Sequence, residues 1–123
     1  MHASKTQQKS LIILKNRADF VLMNGRAKKW VSHGIVLQVR ENDLGEMRVG
    51  YTVTKKTDKS AVNRNRIKRR LRAVAADILP LHAKKSCDYV LIGRPATTTR
   101  PYDTLCEDLK WCLKKLGYLK GNS

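Results

Sequence analysis

Lys55–Arg72 reads KKTDKSAVNRNRIKRRLR and holds nine of the chain's 26 basic residues against one acid, Asp58, in eighteen positions. Within and beyond it, apolar residues recur at helical spacing. At about 100° per residue, Ile67, Leu71, Val74, Ala75 and Ile78 fall on one stripe. The stripe predicts a helix with one buried face, beginning near Ser60 to Asn63 and ending before Pro80. Arg64, Lys68 and Arg72 make an i, i+4 ridge along one border and Arg66 and Arg70 along the other, with Arg69 opposite. The guanidinium groups are expected to fan out from an anchored helix, an arrangement that needs a polyanion as partner.

On either side of this helix the pattern changes. Trp30-Val31, Gly34–Arg40 and Met47–Thr54 are rich in β-branched and aromatic residues and read as strands. The acidic stretch Glu41–Glu46 has hairpin length, so the last two strands are expected to be antiparallel neighbours. Leu11–Leu14 and Asn16–Met23, followed by Asn24-Gly25, read as a short N-terminal helix in which Phe20, Val21 and Met23 are candidates to pack inward. Downstream, Asp88–Gly93 is a nearly continuous apolar run that suits a strand covered on both faces. A loop over Arg94–Pro101 then leads to a helix from about Tyr102 to Leu116, stopped by Gly117. Helix, strands, basic helix, strand, helix describe a two-layer α+β domain.

A chain of 123 residues carries one domain with a modest core. We expect residues 1–10 to be a flexible polar start, 11–117 the domain and 118–123 a tail. A formal charge of +16 is strongly self-repelling, and nucleic acid relieves such repulsion. No run of 18 apolar residues and no signal peptide is present, so no membrane partner is expected and the cytoplasm is the expected location. Cys87, Cys106 and Cys112 are odd in number and lack CxxC spacing, which reads as reduced thiols in a core.

The titratable residues do not assemble a machine for bond breaking. His2, His33 and His82 are scattered, and no Gly-rich phosphate loop or nucleophile elbow occurs. Glu41, Asp43 and Glu46 are the one local acidic cluster; it reads as a solvated turn, with loose Mg²⁺ binding as the alternative. The basic segment is better equipped for binding. Arginine forks grip phosphate at two points, and Asn65 between two arginines can donate and accept toward a ribose or base edge, or else cap the helix.

Thr52-Val-Thr-Lys-Lys56, Ala61-Val62 and then Arg64-Asn65-Arg66-Ile67-Lys68-Arg69-Arg70-Leu71-Arg72 resemble the RNR signature of the protein subunit of bacterial ribonuclease P. Leu14-Lys-x-Arg-x-Asp-Phe20, Arg48-Val-Gly50, Asp88-Tyr-Val-Leu-Ile92 and the closing helix follow the same order, so the resemblance covers roughly residues 11–117. It implies an α-β-β-β-α-β-α fold of the ribosomal protein S5 domain 2-like kind. That fold has a central four-stranded sheet and a left-handed βαβ crossover, against the usual hand of such connections. It also implies a division of labour in which the RNA subunit carries out Mg²⁺-dependent removal of the 5′ leader of precursor tRNA. The Mg²⁺ belongs to the RNA–protein holoenzyme, and no protein site for it is recognisable. The protein subunit of that endoribonuclease supplies counter-charge and a leader cleft, its partners being the catalytic RNA and precursor tRNA, with no DNA.

Carried over by position, Lys55, Lys56, Arg64, Asn65, Arg66, Lys68, Arg69, Arg70 and Arg72 would face the RNA subunit. Lys15, Arg17, Phe20, Val36 and Gln38 would face the leader, in a cleft between the first helix and the sheet. Departures from the family pattern are specific. The glycine after Lys55-Lys56 is missing, Thr57–Ser60 is one residue longer, and Asn24 and Gln38 stand where aromatics are usual. Stacking a base on an aromatic is worth about 1–3 kcal/mol, so leader binding here would lean on hydrogen bonds and charge. Two other readings use the same residues: a ribosomal or general structured-RNA-binding protein, and a nuclease that needs no RNA partner.

Overall fold

The computed structural model describes residues 11–14, 23 and 27–120. Its elements are β1 (Ile12–Ile13), β2 (Lys28–Val31), β3 (Ile35–Glu41), β4 (Arg48–Thr52), α1 (Ala61–His82), β5 (Cys87–Gly93), a 3-10 turn over Pro95–Thr98, and α2 (Tyr102–Leu116). The expected α+β class holds. The sheet has five strands in the order β1-β4-β5-β3-β2, four of them substantial and β1 only two residues long.

β5 is the central strand of the sheet, and its nearly continuous apolar run is buried along almost its whole length. It pairs antiparallel with β3 and parallel with β4, so α1 is the crossover between two adjacent parallel strands. This corrects the expected β3–β4 hairpin, since those strands are not neighbours. Their connection spans two strand spacings, about 9.6 Å, which six residues cover as easily as one spacing. Turn length therefore could not discriminate. An ionic row helps to decide the order: Asp88 on β5 sits between Arg40 on β3 and Arg48 on β4, with N–O distances of 2.9 and 2.8 Å. β2 is the antiparallel partner of β3 instead, through the turn in which Ser32 Oγ donates to Ile35 O at 2.6 Å.

Leu11–Leu14 is a second correction. Ile12–Ile13 forms a strand parallel to β4, with Leu14 N–H donating to Val49 O at 2.7 Å, rather than opening a helix. Two adjacent β-branched residues meet the open edge of β4 and complete its ladder. The rest of the expected N-terminal helix, with Lys15, Asn16, Arg17, Asp19, Phe20, Val21 and Asn24, lies outside the described residues. Met23 is helical and buried with Leu14 and Val90 on one face of the sheet.

The opposite face carries the main core. Ile35, Leu37 and Val39 of β3, Val49 of β4 and Tyr89 and Leu91 of β5 meet Ile67, Leu71, Val74, Ala75 and Ile78 of α1 and Leu105, Leu109, Cys112 and Leu113 of α2. All five stripe residues of α1 are buried as the spacing predicts. α1 nevertheless runs on past Pro80 to His82, because a proline in the last turn forfeits only one backbone bond and Ala83 N–H still closes on Leu79 O at 3.0 Å. α2 spans the predicted residues and ends at Gly117, whose φ of 87° is the left-handed conformation that a side chain would resist. Tyr118, expected to begin a loose tail, is buried at 7% exposure, and Leu119 bridges to Ala83.

Candidate nucleic-acid interface

The start of α1 is built by its own approach turn. Ser60 caps the helix, its Oγ accepting from Asn63 N–H at 3.3 Å. Asp58 accepts from Ser60 N–H at 2.9 Å and from the Asn63 amide at 3.4 Å, so the acid of this basic segment is turned to shaping the helix start. Thr57 N–H closes on Thr54 O at 3.0 Å, and its hydroxyl donates to Gly93 O at 3.3 Å, fastening the turn to the end of β5. The extra residue relative to the family pattern is thereby accommodated without a glycine. Lys55 and Lys56 are left exposed at its tip.

The arginines of α1 divide into two groups. Asn65, Arg66 and Arg69 are exposed, and Asn65 lies five residues beyond the Ser60 cap, so capping is not its task. Arg64 instead folds back: its Nη1 donates to Asp58 O and Lys59 O, both at 2.9 Å. Arg70 turns into the protein, donating to Thr98 O at 2.8 Å and to Arg100 O at 2.6 Å. The expected outward fan therefore excludes Arg64 and Arg70, because carbonyls of the approach turn and of the loop after β5 lie within their reach. Arg72 lies over the Tyr51 ring at 5.5 Å. Burial, partly offset by the Arg72 charge, raises the Tyr51 hydroxyl to about 12, so the ring is neutral at physiological pH. Lys68 is half-buried between the arginines. The result is an exposed rim of Lys55, Lys56, Asn65, Arg66 and Arg69, with Arg72 exposed at its border over Tyr51 and Arg64 and Arg70 bracing it through backbone carbonyls.

The second group of candidate residues lies on the sheet face away from α1 and α2. Val36 and Gln38 are half-buried there, beside Ile92 and Val90 in register, next to the cluster of Leu14, Met23 and Val90. The structure thus separates them from the α1 rim; Lys15, Arg17 and Phe20 lie outside the described residues. Lower on the same face Asp88 is fully buried and accepts from Arg40, Arg48 and Asn42. Burial pushes its carboxyl up, but hydrogen bonds from Arg48 and Asn42 and the charges of Arg48 and Arg40 together outweigh this and hold it below the usual carboxylate range. Sequence reasoning missed this group of four, in which Arg40 and Arg48 meet at Asp88 only once β5 lies between β3 and β4.

Among the described residues no group of three His, Cys, Asp or Glu side chains could hold a metal ion. In the acidic turn Glu41 accepts from Tyr118 at 3.1 Å, and the Asn42 amide donates to Glu46 O at 3.3 Å. The turn is used for structure. His33 lies in the turn between β2 and β3 and His82 ends α1, and the three cysteines are free thiols, each pushed up chiefly by burial.

The profile of the family described as Ribonuclease P matches residues 9–117. The chain is 45% identical over 112 residues to the ribonuclease P protein component of Paramagnetospirillum magneticum, covering 87% of this chain and 84% of that relative. It is also 45% identical over 108 residues to the component of Ruegeria pomeroyi, covering 85% of each. Among solved structures it is similar to the RNase P protein from Thermotoga maritima, at 27% identity and a TM-score of 0.68, covering 78% of this chain and 89% of that one. The fold also matches the Staphylococcus aureus RNase P protein, with a TM-score of 0.72 at 24% identity over 88% of this chain and 97% of that one. A matched profile across nearly the whole domain, with the basic helix rigidly presented from the sheet, shows that the chain belongs to the ribonuclease P protein family.

Proposed function

We propose that this chain is the non-catalytic protein subunit of ribonuclease P, holding the catalytic RNA with α1 and the 5′ leader of precursor tRNA with the opposite sheet face. The observation that carries the reading is the exposed rim of Asn65, Arg66 and Arg69 on a helix whose other side is locked into the core, continued by Lys55 and Lys56 in the turn that leads to it. Lys68 and Arg72 add charge at its borders, while Arg64 and Arg70 act through the backbone they hold. Phosphate is met by lysine and arginine, and Asn65 serves a ribose hydroxyl or base edge. On the other face Val36 and Gln38 receive single-stranded leader; Lys15, Arg17 and Phe20 are assigned to it by their match to the family pattern alone. Gln38 favours hydrogen bonding over stacking. Hydrolysis belongs to the RNA and its Mg²⁺, and the assembly works in the cytoplasm.

Adding the protein to its cognate catalytic RNA at low Mg²⁺ should raise the rate of leader removal from precursor tRNA. No stimulation would reject the reading. Equal affinity for precursor and mature tRNA, with tight binding to ribosomal RNA, would support a general RNA-binding role instead. Cleavage by the purified protein alone would point to a nuclease.

A further inference from the structure

The chain has two tryptophans, and both stand outside the core. Trp30 on the edge strand β2 is 37% exposed and Trp111 on α2 is 47% exposed. Such rings bury large apolar area when they pack, so two exposed on adjoining elements call for a reason. α2 lies against β2 here, with Cys112 Sγ 3.8 Å from Trp30 O. Lys115 Nζ is 4.5 Å from the centre of the Trp111 ring and 5.9 Å from that of Trp30, and Lys114 Nζ is 5.9 Å from Trp111. Two residues back on the same face of β2, Lys28 Nζ is 5.6 Å from the Tyr118 ring, with Lys84 Nζ at 5.9 Å. Beyond them opens a depression of about 590 Å³ lined by Lys28, Lys84, Lys85 and Tyr118, with Glu41 and Asp43 as its acids. Glu41 is engaged by Tyr118.

Exposed aromatic faces interleaved with lysines fit an occupant that has flat π-systems and repeated negative charge. Protein partners select against lysine at the centre of an interface. Unpaired nucleotides supply both properties, since every base can stack and every phosphate attracts an ammonium group. We infer that the Trp30, Trp111 and Lys115 cluster is a second RNA contact, the rings stacking one or two unpaired bases of single-stranded RNA while Lys28, Lys114 and Lys115 meet its phosphates. The contact rests on RNA being the partner, and not on the role given to the arginine rim. Arg69, the last rim residue on α1, and His82 are thirteen residues apart, about 20 Å along its axis. Lys84 follows His82, so the Lys28–Lys84 end of this strip is remote from the rim.

Because both tryptophans lie in the cluster, intrinsic fluorescence reports on it directly. Titrating the whole protein with an unpaired adenosine octamer should quench that emission saturably. Trp111→Ala should weaken binding, followed through Trp30, about 5- to 150-fold, the range that the loss of one stacked base gives. Lys114→Ala with Lys115→Ala should lower the salt slope by about 1.4, at about 0.7 per phosphate on single strands. Arg66→Ala with Arg69→Ala should leave the quenching in place while weakening assembly with the catalytic RNA, which separates failure of this contact from failure of the proposed function. Absence of quenching would overturn the inference. So would unchanged affinity in a folded lysine double variant, the lysines then only stapling β2 to α2, or a response to anionic phospholipid vesicles in place of the octamer.

Discussion

Asp88 is the residue on which the sheet's order turns, because a fully buried carboxylate flanked by Arg40 and Arg48 is tolerable only while both remain. Asp88→Asn should cost about 3–5 kcal/mol, read as a lower urea midpoint with an unchanged slope. Its folded pKa is depressed from the ordinary 3.8, so its contribution is complete above that value and is lost as pH falls below 3.8 and through the lower folded value. The urea midpoint of the parent should therefore drop across that acid window more steeply than that of Asp88→Asn. Arg64 and Arg70 show what single residues in the basic run conceal. Their identity was legible, but their direction depended on carbonyls of Asp58, Lys59, Thr98 and Arg100 that the fold brings near. Arg70→Ala should cost stability, about 1–3 kcal/mol for two hydrogen bonds from a charged group, whereas Arg66→Ala should leave the circular dichroism and thermal midpoint unchanged.

At the scale of elements, α1 works because its apolar stripe is held against a sheet that allows close approach. A Cβ on Gly93 of β5 would lie 2.6 Å from Ile67 Cγ2 and 3.0 Å from Val53 Cγ2, so glycine there lets the arginine-bearing half of the helix settle. Gly93→Ala should cost about 1–3 kcal/mol and weaken RNA assembly as well, the helix being displaced; thermal melting beside a binding titration checks both. α1 and α2 were legible, since a 3.6-residue period, a serine cap and a terminal glycine act locally. Leu11–Leu14 was not. A four-residue apolar patch suits either element, and the open edge of β4 made the choice.

For the whole molecule, the charge of +16 is the dominant fact. Association with RNA should fall steeply with salt, and Arg66→Ala should reduce the log–log slope by about 1, measurable by filter binding across a salt series; a flat response would remove the electrostatic basis of the interface. The sequence by itself determined the α+β class, the buried stripe of α1, the covered strand over Asp88–Gly93, the extent of α2 and the run of basic residues that α1 carries. These depend on periodicity, capping and charge within a few residues. Only the tertiary structure decided that β5 parts β3 from β4, that Arg64 and Arg70 brace the rim from within, and that Trp30 meets Trp111 across Lys115. Those outcomes join residues far apart in the chain, and no local spacing encodes which of several equally reachable partners a strand or a guanidinium will find.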